Sequence, residues 1–246
     1  MKKRTKKTLG VAIKVFTRVL LGIVLCAILN VSMQFVKIGV LGDEVGYRVM
    51  NRDTGKTVEE HRYTGDETPS LRFDVPLEET EYTEAIFEAS HTTSVVMDGL
   101  TQILLLIVLG IFPYHILWQF GNRDDTNVRY KGQRPEPFRG VKIGCIAMIP
   151  FALLWLVLVV GKFAGFDCFQ AYNLINFPFI HFNTFVLGNI HSIFDVATWR
   201  LFLLLPTLLF VPAVCGIAYR LGGKQFSLAE FVTFKKKKEQ PEEEEI

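Results

Sequence analysis

Few side chains in this sequence could carry chemistry, and most of them gather in two places. His181, His191 and Asp195 lie in a stretch rich in Phe and Ile, with His191 and Asp195 four residues apart, the spacing of two ligands on one helix face. Imidazole and carboxylate are ordinary ligands of zinc and related metals. His91 could join them from a preceding segment, and Cys168 adds a thiol without a partner. Histidines in an aromatic interfacial loop account for the same residues without a metal, and that reading is preferred. No metal and no other cofactor is assigned. The second place is a pair of polar stripes. Asn30, Gln34 and Lys37 recur within one apolar run, and Asp98, Thr101 and Gln102 open the next; on helices each set shares a face.

Two readings of the stripes stand. They could face each other with Lys37 paired to Asp98, because ionisable groups near a membrane seek partners or water. Alternatively Lys37 snorkels to the headgroups while Asp98 opens a helix in the wet interface. The second is simpler and is preferred. Asp53-Thr54-Gly55 is the tripeptide that carries the catalytic carboxylate in aspartic proteases, but such sites need two carboxylates sharing a proton on hydrophobic strands. A single copy flanked by Arg52 and Lys56 reads as a hairpin turn. His115, close to Trp118, reads as an interfacial histidine in preference to a proton relay.

The elements that position these residues are four apolar runs, Phe16 to Val36, Val95 to Phe120, Ile143 to Val160 and Trp199 to Tyr219. Each approaches or exceeds the roughly 20 residues needed to cross a hydrocarbon core about 30 Å thick. Apolar residues make up 50% of the chain and charged ones 21%, and the two are segregated into blocks. The expected fold class is an integral membrane α-helical protein, a bundle of four transmembrane helices with a small extracytoplasmic β-rich domain between helices 1 and 2. The divisions are a basic N-terminus (1–15), the first span with an outer extension (16–41), the β domain (42–94), the second span (95–121), a basic loop (122–140), the third span (141–164), an outer interfacial or re-entrant loop (165–197), the fourth span (198–220) and a charged tail (221–246).

Charge sets the expected orientation. The first eighteen residues carry seven Lys or Arg and no acid, and Asn122 to Lys142 carries six against three acids; the positive-inside rule makes both cytoplasmic. Gly42 to Ser94 holds thirteen acids against five basic residues and faces outward. Basic residues resume at Arg220, Lys224 and Lys235 to Lys238, so both termini are expected in the cytoplasm. A signal peptide is the competing reading of the N-terminus, disfavoured because no small-x-small cleavage site follows the apolar run.

Between the first two spans, Val45, Tyr47 and Val49 alternate with smaller or polar residues, Asn51 to Lys56 makes a turn, and Thr57 to Tyr63 returns antiparallel. Leu71, Phe73 and Val75, stopped by Pro76, suggest a third strand, and Glu78 to Ser90 a fourth. Phe166 to Val196 is too interrupted by Pro178, Gly188 and polar residues for an ordinary span and too apolar for a free loop, so it should lie on or dip into the outer leaflet. Pro113 should loosen span two, and Pro206 and Pro212 should bend span four. Gly140 and Gly144 permit close helix approach. After Gly222-Gly223, a capping-box pattern from Ser227 to Glu230 and the apolar Phe231, Val232 and Phe234 suggest a short amphipathic helix. Its lysines Lys235, Lys236, Lys237 and Lys238 would attract anionic lipid at the cytoplasmic face. The acidic end should be disordered. Cys26, Cys145, Cys168 and Cys215 contain no CxxC pair, which argues against a disulfide framework or a thiol redox centre.

Four spans with a β-rich first outer loop is a layout similar to that of claudin-like tetraspan proteins. Their first-loop signature of Trp and paired Cys has no counterpart, since residues 42–94 contain neither. Membership is not assigned and no residue role is carried over. The leading expectation is therefore a non-enzymatic accessory or scaffold subunit of a cell membrane, one that presents its outer domain and apolar loop to a membrane or extracytoplasmic protein partner. The bilayer is its other partner, and no nucleic-acid partner is expected. Next comes a small transporter or channel subunit with a polar site formed by Asn30, Gln34, Asp98 and Gln102; third, a membrane enzyme using His181, His191 and Asp195. A basic start, short loops and no glycosylation signal in the outward loops point toward a bacterial cytoplasmic membrane.

Overall fold

A helix satisfies its backbone donors and acceptors within its own segment, which is what long runs of Leu, Ile, Val and Phe need when no water reaches them. The computed structural model describes residues 2–64, 69, 75, 77–78, 80–132, 136–188 and 190–224, with side chains from residue 6 onward. The further strand expected around Leu71 and Phe73, the Ser227 to Phe234 helix and Lys235 to Lys238 lie outside the described residues. Of the described residues 72% are helical, and three strands form a small sheet. Among the described residues three helices are long and apolar enough to cross a membrane, or four if one bent pair counts as a single span.

The two longest helices are α1 (Lys2–Gly39, 38 residues) and α2 (His91–Lys131, 41 residues). At 1.5 Å per residue they are about 57 and 62 Å long, roughly twice a hydrocarbon core. Both extend past the expected spans into segments expected to be a separate basic terminus and a loop. Residues 122–131 contain neither Gly nor Pro, and lengthening an existing helix avoids the cost of nucleation. Arg129 and Asp125, one turn apart at 2.7 Å, support the extension. Ser90 starts α2 by accepting the Thr93 N–H, and Gly132, at φ 60°, ends it in the left-handed region, where glycine carries no Cβ penalty.

Prolines set the breaks in the rest of the chain. Helices α3 (Arg139–Ala147) and α4 (Ile149–Ala164) meet at a 49° bend. Pro150 has no N–H to continue the ladder and disfavours helical geometry in the residue before it. Next come α5 (Phe169–Ile175), a 3-10 turn at Phe177–Phe179, α6 (Ile180–Leu187) and a second 3-10 turn at Ile193–Asp195. Finally α7 (Thr198–Phe202) breaks before α8 (Leu205–Gly223), with Pro206 in the first turn of α8, where a missing donor costs little. The stretch 166–196 thus folds back on itself as two short helices. It forms a lid at the sheet end of the bundle.

Strands β1 (Asp43–Asn51), β2 (Thr57–Arg62) and β3 (Glu81–Glu88) form an antiparallel sheet in the order β2-β1-β3. The β1–β2 turn contains Asp53-Thr54-Gly55. There Asn51 Oδ1 accepts the Asp53 and Thr54 N–H groups at 3.0 Å each, and Gly55 takes φ 62°. An Asx turn of this kind is a structural use of the tripeptide.

The main core joins α1, α2, α3 and α8 around Val15, Val19, Leu105, Leu109, Ile143 and Val211. Its tightest contacts are made by glycines. A Cβ on Gly144 would stand 2.6 Å from Pro212 Cα, and one on Gly140 2.5 Å from the Cys215 carbonyl oxygen. Between α2 and α8, Gly121 faces the Tyr219 carbonyl and Gly222 faces the Trp118 carbonyl, and neither leaves room for a methyl group. Gly121→Ala and Gly144→Ala are expected to destabilise by about 1–3 kcal/mol each through overpacking. Gly99→Ala, where the added Cβ meets nothing within 4 Å, should be neutral or stabilising by up to about 1 kcal/mol. Thermal unfolding in detergent, followed by tryptophan fluorescence, checks the contrast, and equal effects at all three positions would refute it.

Candidate functional site

At the sheet end, the two polar stripes meet. Lys37 Nζ donates to both carboxylate oxygens of Asp98, at 2.9 and 3.1 Å. The simpler expectation, with Lys37 and Asp98 each alone at an interface, is replaced by a pair. The reason is helix rotation: α1 and α2 pack along their length and turn residues 30, 37, 98 and 102 toward a common seam.

The lid closes over that seam. Gln102 donates from Nε2 to the Pro178 carbonyl at 2.9 Å and accepts the Phe182 N–H on Oε1 at 3.1 Å. Its amide therefore satisfies backbone groups on both sides of the α6 start, where a short helix leaves N–H groups without partners. His181 stands between the stripes, with Nε2 3.0 Å from Asn30 Oδ1 and Nδ1 3.6 Å from Asp98 Oδ1. Thr101 is buried, its hydroxyl donating to the Met97 carbonyl at 2.7 Å, and Gln34 is half-buried beside the seam. Of the six stripe residues, Asn30, Lys37, Asp98 and Gln102 thus converge with His181.

The lid is also tied within itself. Asp167 Oδ1 accepts the Phe169 N–H at 2.9 Å. The Ser192 hydroxyl, and after it that N–H, hold the Asp167 carboxyl below the usual carboxylate range. Lys162, in the last turn of α4, donates to the carbonyls of Ile193, at 3.2 Å, and Val196. Underneath is a second apolar cluster built on Leu158, Phe169, Tyr172, Leu187, Ile193 and Leu201.

His191 and Asp195 take no part in either arrangement. Both are exposed, and the helical spacing read from sequence is not realised, because Ser192 is extended and 193–195 is a 3-10 turn. His91 is exposed at the start of α2. Among the described residues no group of three or more His, Cys, Asp or Glu side chains is arranged to hold a metal ion.

The opposite end holds a polar node that charge counting missed. Asp124 (7% exposed) and Arg139 (4%) are buried, with Arg139 Nη1 donating to Asp124 Oδ2 at 2.7 Å. Tyr219 Oη donates to the same oxygen at 3.0 Å, Lys7 Nζ lies 3.8 Å from Asp124 Oδ1, and Arg139 Nη2 donates to Thr8 Oγ1 at 3.2 Å. The Phe120 ring lies 5.0 Å from the Arg139 guanidinium and 5.3 Å from the Lys7 ammonium, within the range of cation–π attraction. Four helices contribute, so the node ties together this end of the bundle. A cavity of about 780 Å³ opens beside it, lined by Asp124, Glu136, Arg139, Tyr219, Arg220 and Lys224 among others. The available sequence signal was an acid inside a basic segment, close to the helix-contact glycines Gly121 and Gly140.

Comparison of the chain with known protein families, with characterised proteins and with solved structures finds no match. Any function therefore has to be read from the geometry.

Two predictions follow from the paired charges. Lys37→Glu and Asp98→Lys should each destabilise, and the charge-swapped double variant should recover part of the loss, with a coupling energy of about 0.5–3 kcal/mol; no recovery would remove the pair. At the other end, Arg139→Met strands a buried carboxylate and should cost about 3–5 kcal/mol, whereas Arg139→Met with Asp124→Leu should cost less. Thermal midpoints of the purified variants report both cycles, and a double variant at the node no better than Arg139→Met would count against the buried pair.

Proposed function

We propose that this chain is a multi-pass membrane protein without catalysis of its own, acting as an accessory or scaffold subunit that holds its sheet and lid out to a protein partner. In this reading α1, α2, the bent pair α3–α4 and α7–α8 are four crossings. Both termini are cytoplasmic, and the acidic sheet and the lid are outside. The basic ends at Lys6, Lys7, Arg123 and Arg129 support that direction, and a bacterial cytoplasmic membrane is a setting they fit.

The observation that carries the scaffold role is the lid. It is held by Gln102, His181 and Lys162 and filled by its own apolar cluster. Yet it presents large apolar side chains outward, with Phe185 87% and Leu174 71% exposed. A rigid surface with apolar side chains at its rim suits docking better than turnover, because exposed apolar patches mark interaction sites. A transporter draws less support: the polar groups proposed to line its path, Asn30, Asp98 and Gln102, are engaged by His181, Lys37 and the α6 start.

Single cysteines at Glu59 and Lys131, placed in a background with the four native cysteines replaced by serine, test the orientation. Glu59→Cys should react with a membrane-impermeant maleimide on intact cells and Lys131→Cys only after permeabilisation; the reverse pattern would overturn the topology. A photo-crosslinking residue at Phe185 should capture a protein of one defined mass in the native membrane. Capture of lipid alone would overturn the scaffold role.

A further inference from the structure

Lys7, Lys14 and Arg18 follow one another at intervals of seven and four, which aligns them on one face of α1. That face looks toward the end of α2 that carries Arg123. Between the two helices lies a groove of about 670 Å³ whose lining includes all four cations and no carboxylate. Lys7 reaches back to Asp124 and the Phe120 ring. Lys14, Arg18 and Arg123 are exposed, and among the described residues none of the three has an ion pair or hydrogen-bonding side-chain partner. Like charges gathered without counter-charge raise the local positive potential, and a ligand that brings negative charge relieves it.

Apart from Thr17 and Gln119, the rest of the lining is apolar. Val11, Ile13, Ile116 and Phe120 share the groove with the cations. Gly10 widens it, since a Cβ there would meet nothing within 4 Å. Arg18 already lies inside the apolar run that begins at Phe16, so the groove passes from a charged surface into an apolar zone. A free phosphate would use the charges and leave the apolar wall bare, whereas a lipid with a phosphate head and an acyl chain uses both. Basic pockets between transmembrane helices on the cytoplasmic side suit such headgroups.

We infer that the α1–α2 groove is a binding site for an anionic phospholipid, its phosphate held among Lys14, Arg18 and Arg123 and one acyl chain laid along Ile116 toward the bilayer interior. The site is separate from the general attraction expected of Lys235 to Lys238. It rests on the reading that α1 and α2 cross a bilayer.

The test uses the full chain in nanodiscs of phosphatidylcholine, with and without a minor fraction of phosphatidylglycerol, and counts retained phosphatidylglycerol by native mass spectrometry. The variant Lys14→Gln, Arg18→Gln, Arg123→Gln should weaken retention on the order of a hundredfold. Lys131→Gln, Lys142→Gln, Lys224→Gln removes the same charge from residues outside the groove and should change retention less than about threefold, because attraction falls off within a Debye length. Gly10→Leu, which fills the groove and leaves the charge untouched, should lower retention as well. Equal losses from the two triple variants would mean diffuse attraction only and would overturn the site. Displacement of the lipid by inorganic phosphate at comparable concentration would make it a phosphate site and overturn the lipid. Failure of the chain to insert into either nanodisc strikes the membrane reading, while insertion with no preference for phosphatidylglycerol strikes the groove alone.

Discussion

The end of the bundle around Asp124 depends on how closely α8 can lie against α2 and α3. In an apolar surrounding, helices have no hydrophobic reason to associate, so van der Waals contact between backbones has to supply the attraction. Gly121 and Gly222 bring α2 and α8 into backbone contact, and Gly140 and Gly144 bring α3 onto α8. That approach carries Tyr219 and Arg139 to Asp124. Without it a carboxylate at that depth would have no partner, and burying it would be unfavourable.

The same packing explains why the molecule has two different ends. α3 stays with the bundle, but the bend at Met148 turns α4 away, and α4 packs instead against α5 and the Ile193–Asp195 turn. The lid therefore has an apolar cluster of its own and is fastened to the bundle by Phe179, which enters the main core, and by a few polar contacts. Those polar contacts come from the stripes on α1 and α2, so polar groups that could have lined a path are used to position a cover. At the other end, charges on α1, α2, α3 and α8 divide into a neutralised node around Asp124 and a face of cations with no acid opposite.

Much of the fold was legible in the residues. The apolar runs marked the long helices, Pro206 marked the break in the last span, and Asn51 with Gly55 marked the hairpin turn, whereas the bend before Pro150 was not anticipated. These features have local causes that act within a few residues. The helical extension of α2 through Lys131 was missed because a polar helix end has no apolar stripe to announce it. The shared face weighed for His191 and Asp195 does not form, because their spacing places them together only on an α-helix and Ser192 starts a 3-10 turn instead.

By itself, then, the sequence determined which segments are apolar helices, where the sheet begins, and which side chains would share a face on a regular helix. Only the tertiary structure decided which faces meet. Lys37 and Asp98 are 61 residues apart, His181 and Asn30 151, and Arg139 and Thr8 131. Contacts of that range depend on the rotation of each helix about its axis, and for α2, α3 and α8 that rotation is set by where glycines allow backbones to touch. A one-dimensional pattern carries the period of a helix but not its azimuth, and the azimuth is what turns separate polar stripes into a clasp, a node and a groove.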